Sequence, residues 1–255
     1  MKRFLTLAVP IAMCALVVPA SLHAESPEGI LAQSDAQRTI NDMSFEVRLS
    51  AYDGSQVTDT KTLWGSLKIG ADHNRILMYF VDPASDRGRK LLVDGDAVYL
   101  LFVRTTNPIR LSPLEVLTGQ ASNGDVVRTF ARDYDVESMT DATLAGAQAY
   151  HFSLAAKQSV GDTSYKRVQL WVEKSSLRLL YAEFHAASGA LLKKAFYKDY
   201  REATGKDVPF SVEVFAGDDA SKRTVMTFDK VGRKAVPETE FTRSFLSLWN
   251  PEQPE

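Results

Sequence analysis

Between Ile76 and Val103 the chain carries three short runs that are apolar on both faces of an extended strand. Ile76 to Val81 reads Ile-Leu-Met-Tyr-Phe-Val, Lys90 to Val93 reads Lys-Leu-Leu-Val, and Ala97 to Val103 reads Ala-Val-Tyr-Leu-Leu-Phe-Val. Turn chemistry at Asp82-Pro83 and Asp94-Gly95-Asp96 separates them. A strand with one wet face alternates apolar and polar residues, whereas these strands need cover on both sides. The chain has few strong helices to provide it. The economical solutions are a closed or half-closed barrel, or a sheet wrapped around a hydrophobic guest.

The first residues form a basic pair, Lys2-Arg3, then an apolar run from Phe4 to Val18 broken by Pro10, then Pro19-Ala20-Ser21-Leu22-His23-Ala24 with a small residue at its end. This is the pattern of an export signal cut after Ala24, with a cut after Ala20 as the alternative. The run is too short for the roughly 20 apolar residues of a membrane-spanning helix. The single cysteine, Cys14, lies inside it. Met13 precedes that cysteine where a lipoprotein signal needs a small residue, so acylation there is not expected. The expected mature chain, residues 25–255, is an exported domain without disulfides or thiolate chemistry. Thirty Lys and Arg face 32 Asp and Glu, and Lys2 and Arg3 leave with the signal. That mild acidic balance argues against nucleic acid and against electrostatic docking on anionic lipid.

Ser26-Pro27-Glu28 opens a short helix with a capping serine and a proline at the first helical position. From Phe45 the period changes to two, with Phe45, Val47 and Leu49 alternating against Glu46, Arg48 and Ser50. Strands are expected at 58–69, 149–154, 165–173, 177–186, 191–200, 208–215 and 223–231 as well, about ten or eleven in sequential order. Ser112-Pro113-Leu114-Glu115 has the form of a capping box and predicts a short helix ended by Gly119. A second short helix is expected from Val126 to Ala131. Together they form a lid between two sets of strands within one domain, and Phe241 to Trp249 forms an apolar stripe in a last helix or extended tail. The fold class is mainly β.

Candidates for chemistry are sparse. His73, His151 and His185 have no metal-ligand spacing and no cysteine partner. There is no Gly-x-Ser-x-Gly elbow, phosphate loop or dinucleotide fingerprint. No catalytic residue, metal site or cofactor is expected. What remains is bulk: Trp64, Tyr79, Tyr99, Phe102, Trp171, Tyr181 and Phe184 come from several strands. Each fills the core or lines an apolar ligand cavity, and the extra apolar faces favour such a cavity.

The block from Ile76 to Val103 with Asp82-Pro83, Arg87-Gly88-Arg89 and Gly95-Asp96, followed by Ile109 to Ser112 and Gly119 to Asp125, resembles the LolA-like outer-membrane lipoprotein-sorting proteins. Leu192 to Tyr200, Pro209 and Phe241-Thr242 resemble the same family. The resemblance implies an incomplete antiparallel β-barrel with short helices as a lid over an apolar concave face, holding the acyl chains of lipoproteins or other lipids. It implies a periplasmic carrier without catalysis, working with an inner-membrane transporter or an outer-membrane acceptor, and a monomer is expected. The alternative is a cargo-free accessory module of a resistance-nodulation type exporter. Arg48, Leu114 and Leu117 are the candidate lid contacts.

Overall fold

The computed structural model describes residues 25–112, 116–122, 128–160 and 165–251. The expected signal segment lies outside the described residues, as does Leu114. Helix α1 (Pro27–Arg38) starts as its sequence dictates: the Ser26 hydroxyl accepts the Gly29 N–H at 3.1 Å, and Pro27 occupies the first helical turn. It is followed by β1 (Met43–Asp53), β2 (Gln56–Lys68), β3 (Arg75–Asp82), β4 (Lys90–Asp94), β5 (Ala97–Leu101) and β6 (Ile109–Leu111). A hairpin, β7 (Val116–Thr118) and β8 (Ala121–Ser122), and a single helical turn, α2 (Phe130–Asp133), lead to β9 (Tyr134–Leu144). The remaining strands are β10 (Ala147–Ala156), β11 (Arg167–Glu173), β12 (Leu179–His185), β13 (Leu191–Ala203), β14 (Lys206–Ala216) and β15 (Lys222–Arg233). No helix among the described residues is long and apolar enough to cross a membrane.

Thirteen strands form one antiparallel sheet in the order β6-β5-β4-β3-β2-β1-β15-β14-β13-β12-β11-β10-β9. The chain enters in the middle at β1 and meanders to one edge at β6. It then crosses by the β7–β8 hairpin and α2 to the opposite edge and meanders back until β15 pairs with β1. No ladder joins β6 to β9, so the sheet stays open. The expected incomplete barrel is present, with more strands than ten or eleven. β6, β7 and β8 are too short to show a period, and β9 buries only Tyr134. An edge strand with a solvated flank carries no alternation to read. The expected helix ending at Gly119 is corrected: Val116–Thr118 is extended and Gly119, at φ +53°, makes the hairpin turn. A helix of so few residues has little stability of its own, and pairing with β8 prevails. Of the second expected helix, Val126 to Ala131, residues 126–127 lie outside the described residues, Arg128 and Thr129 are not helical, and the single turn α2 runs Phe130–Asp133.

Cross-strand register assigns each side chain to a face. On the inner face Ile76, Met78 and Phe80 of β3 and Leu91 and Val93 of β4 join Phe45, Val47 and Leu49 of β1 in the main core. Leu77, Leu92 and Leu101 point the other way, at most 5% exposed. Their cover is neither a guest nor barrel closure. The C-terminal segment runs across them and packs Val236, Phe241, Leu246 and Trp249 onto the outer face beside Tyr79 and Tyr99. Lys68 Nζ donates to the Val236 carbonyl at 3.2 Å, and Lys90 Nζ donates to that of Trp249. Each fully buried aliphatic or aromatic side chain here contributes about 1.5–3 kcal/mol.

Candidate functional site

The inner face is roofed by α1, the β7–β8 hairpin and α2 rather than by a second sheet. α1 lays Ile30 and Leu31 onto the core and buries Asp35, whose carboxylate ties the roof together. Asp35 Oδ1 accepts from Arg38 Nε and Nη2 at 2.9 and 2.7 Å, and Oδ2 accepts the Ala131 N–H at 2.7 Å. Arg38 Nη2 also donates to the Arg128 carbonyl at 3.0 Å. Burial works against the Arg38 charge, but the Asp35 carboxylate, with Tyr197 and Tyr200 beside it, outweighs burial and holds the guanidinium above its ordinary pKa.

The hairpin is pinned at the opposite end. The buried Thr224 hydroxyl of β15 accepts the Gln120 N–H at 2.7 Å and donates to the Thr118 carbonyl at 3.2 Å. Gly119 sits so close that a Cβ there would lie 2.4 Å from Thr224 Oγ1 and 2.7 Å from Ala51 Cβ. Its left-handed φ and this close approach both call for glycine. A third tie comes from Asn74, which donates to Thr129 Oγ1 at 3.1 Å and accepts from Arg132 Nη1 at 3.0 Å.

Under this roof lies an apolar cavity of about 160 Å³. Its floor is Val47 and Leu49 of β1, Val212 and Val214 of β14, and Met226 and Phe228 of β15; Leu117 and Phe130 close it from above. The valines and Ala195 of β13 are too short to fill the space between sheet and roof. Phe45 enters from the side with its ring edge-to-face on Phe228, centroids 5.6 Å apart. Gly65 makes this possible, since a Cβ there would stand 2.3 Å from Phe45 Cζ. The polar lining is Arg38, Thr39, Arg128, Lys193 and Tyr197, and no carboxylate is found among the described lining residues. Nor do the described residues include a cluster of three or more His, Cys, Asp or Glu suited to a metal ion.

A family described as "Uncharacterized protein" matches residues 72–248, well over half of the chain. The structure of a LolA superfamily protein from Nitrosomonas europaea superposes with a TM-score of 0.74 at 27% identity, over 88% of this chain and 100% of that one. The chain belongs to the LolA-like family. Two further solved structures share its fold. A DUF1329 family protein from Desulfovibrio piger has a TM-score of 0.75 at 20% identity, and a domain from Vibrio parahaemolyticus named for outer membrane lipoprotein sorting has 0.75 at 16%. Each covers 86% of this chain and 97% of its own. Comparison with functionally curated proteins finds no match.

Among the residues singled out from sequence, Phe184 and Leu117 line the cavity of this LolA-like chain. The other aromatics stand outside it. Trp64 and Tyr79 stack on the outer face, 5.7 Å between centroids, and Trp64 Nε1 donates to Glu46 at 2.9 Å. Tyr99 lies under the C-terminal segment, with Arg243 5.7 Å from its ring, while Phe102 is 39% exposed beneath Arg89. Trp171 and Tyr181 belong to an outer-face row that also holds His151, Phe196 and Phe215. Arg48 is corrected as a lid contact: it lies half-exposed on the outer face, 3.9 Å from Asp229. Arg38, at the end of α1, is the arginine that bonds to Asp35 and to the Arg128 carbonyl within the roof.

One cause puts these aromatics outside the cavity: size does not choose a face of the sheet, whereas strand parity does. Trp64 lies one residue from the buried Leu63, and Tyr181 one residue from Ala182. The signal that would have found the floor was already visible. Phe45-Val47-Leu49 and Val208-Phe210-Val212-Val214 each alternate cleanly against polar or half-buried neighbours. The three-residue spacing of Asp35 and Arg38 on α1 was the signal for the roof tie.

Proposed function

We propose that this LolA-like chain is a non-catalytic carrier that holds the acyl chains of a lipoprotein or another lipid in the cavity beneath α1 and the β7–β8 hairpin. The observation that carries the reading is an apolar cavity, free of carboxylates among its described lining residues, whose roof is made of short segments rather than sheet. In this proposal the chain works in the periplasm as a monomer, receiving cargo from an inner-membrane transporter and releasing it to an outer-membrane acceptor. Binding rests on hydrocarbon burial, about 0.8 kcal/mol per methylene, so one site accepts many acyl species. At about 160 Å³ the cavity is smaller than the roughly 300–1,000 Å³ of a typical small-molecule site. In this proposal the cavity widens on loading as the roof lifts. The roof is held by the buried side chains of Ile30, Leu31 and Phe130 and by individual hydrogen bonds, each neutral bond contributing about 0.5–1.5 kcal/mol. The sheet beneath can stay intact while they open.

The test is organic extraction and mass spectrometry of the chain purified after export without detergent, alongside its native mass. Stoichiometric acyl species are expected. A chain that is reproducibly empty and fails to bind added fatty-acyl probes would overturn the carrier reading.

A further inference from the structure

The cavity wall holds one group that hydrocarbon cannot satisfy. Arg128 lines the apolar cavity and also a polar cleft on its far side, so it stands at the junction of the two. Its Nε is buried and has no hydrogen-bond acceptor among the described residues. Its guanidinium makes no ion pair within 4.0 Å among them, and lies instead 5.3 Å from the ring centre of the buried Tyr165. Of the described carboxylates that line the cleft with Arg128, Asp133 pairs with Arg132 and Asp94 with Arg75 and His73, while Asp72 and Asp96 make no ion pair with Arg128 within 4.0 Å; Asp35, on α1, pairs with Arg38. Lys193 Nζ lies 5.4 Å from the centre of the same Tyr165 ring while donating to Ser122. That adds a second positive charge to the same wall.

A buried guanidinium N–H without an acceptor is costly, and a native protein rarely keeps one without a use. The other such atom, Arg223 Nε, belongs to a side chain stacked on Tyr52 away from the cavity. Arg128 alone combines the unsatisfied donor with an apolar cavity beside it. A guanidinium's planar set of donors matches a carboxylate or phosphate.

We infer that the ligand is an anionic amphiphile, whose acyl chain enters the cavity and whose terminal oxyanion, carboxylate or phosphate, is received by Arg128. This rests on the carrier reading and narrows its cargo. Neutral lipids of the same chain length would leave the Arg128 donor unmet and bind more weakly. A charge-assisted hydrogen bond of this kind corresponds to a preference of about 10- to 100-fold.

The experiment measures calorimetric affinities of the delipidated full-length mature chain for two matched pairs. One pair is hexadecanoate and hexadecanol; the other is palmitoyl lysophosphatidate and monopalmitoylglycerol. Both are repeated with Arg128→Gln and Arg128→Lys. The expected result is tighter binding of the anion in at least one pair, lost in Arg128→Gln and partly kept in Arg128→Lys, with neutral-lipid affinity unchanged. The pair that shows the preference identifies the headgroup as carboxylate or phosphate. Equal affinity for anion and neutral partner in the native chain would overturn this inference and leave the carrier reading standing. Binding of neither would overturn both. If Arg128→Gln fails to fold by circular dichroism, the native ratios and Arg128→Lys decide the matter.

Discussion

Replacing Leu246 by alanine tests the claim that the chain's own C-terminal segment, rather than a guest, covers the outer face of β3–β5. Leu246 is fully buried against Leu77 and Leu92, whereas Leu248, two residues on, is 75% exposed. Truncating a buried leucine removes its transfer free energy and leaves a cavity, about 2–5 kcal/mol in total. The same change at a solvated position stays within about 0.5 kcal/mol. For a domain of this size each kcal/mol moves the melting temperature by about 2–4 °C. Leu246→Ala is therefore expected to lower Tm by roughly 6–12 °C, taking about 3 kcal/mol as the central value, with Leu248→Ala unchanged. Urea unfolding of the mature chain, with scanning calorimetry alongside, measures both. The single substitution stays below the usual 5–15 kcal/mol of total stability, so the variant remains folded enough to assay. Indistinguishable midpoints for the two variants would refute the packing argument. A gain in acyl-probe binding in Leu246→Ala would relocate the ligand to the outer face.

Gly119→Val places a side chain where Thr224 and Ala51 already stand; the hairpin should lift, and a fluorescent acyl probe should load at least several-fold faster in stopped flow. Unchanged loading kinetics would mean that the hairpin is not the gate. Ala195→Phe should fill the cavity floor, cutting acyl-probe affinity by tenfold or more while costing about 1–3 kcal/mol of stability, and native affinity would show that cargo binds elsewhere. Burial, then the neighbouring Tyr197, pushes the Tyr200 phenol well above its ordinary pKa, and its hydroxyl donates to the Leu179 carbonyl at 2.6 Å. The folded state thus holds this proton more tightly than the unfolded state, which releases it near about pH 10. The stabilisation is complete below that pH and is lost as pH rises above it towards the folded value. Tyr200→Phe should be slightly less stable at neutral pH yet decline less steeply between about pH 9 and about pH 11; parallel declines in urea midpoint would contradict this.

Much of the fold could be read locally. The capped start of α1, the turns at Asp94-Gly95 and Gly189, and the one-sided alternation of β1 and β14 are written in adjacent residues, because turn and strand preferences act over a few positions. The apolar faces from Ile76 to Val103 already required that both sides of those strands be buried. What buries them was not legible there. Local pattern shows that a face must be covered, while the choice among cavity, closed barrel and the chain's own tail depends on which distant segment arrives. Here the cover comes from Phe241 to Trp249, well over a hundred residues downstream. Register decided the rest, because a one-residue change of parity moves a side chain to the opposite face. It put Trp64 and Tyr181 outside and left the shorter Val47, Val212 and Val214 around the cavity. Sequence by itself determined an antiparallel β-rich chain with buried strand faces and no evident catalytic motif. Only the tertiary structure decided where the empty space lies and that Arg128 faces it, because both arise from gaps between segments brought together by long-range pairing.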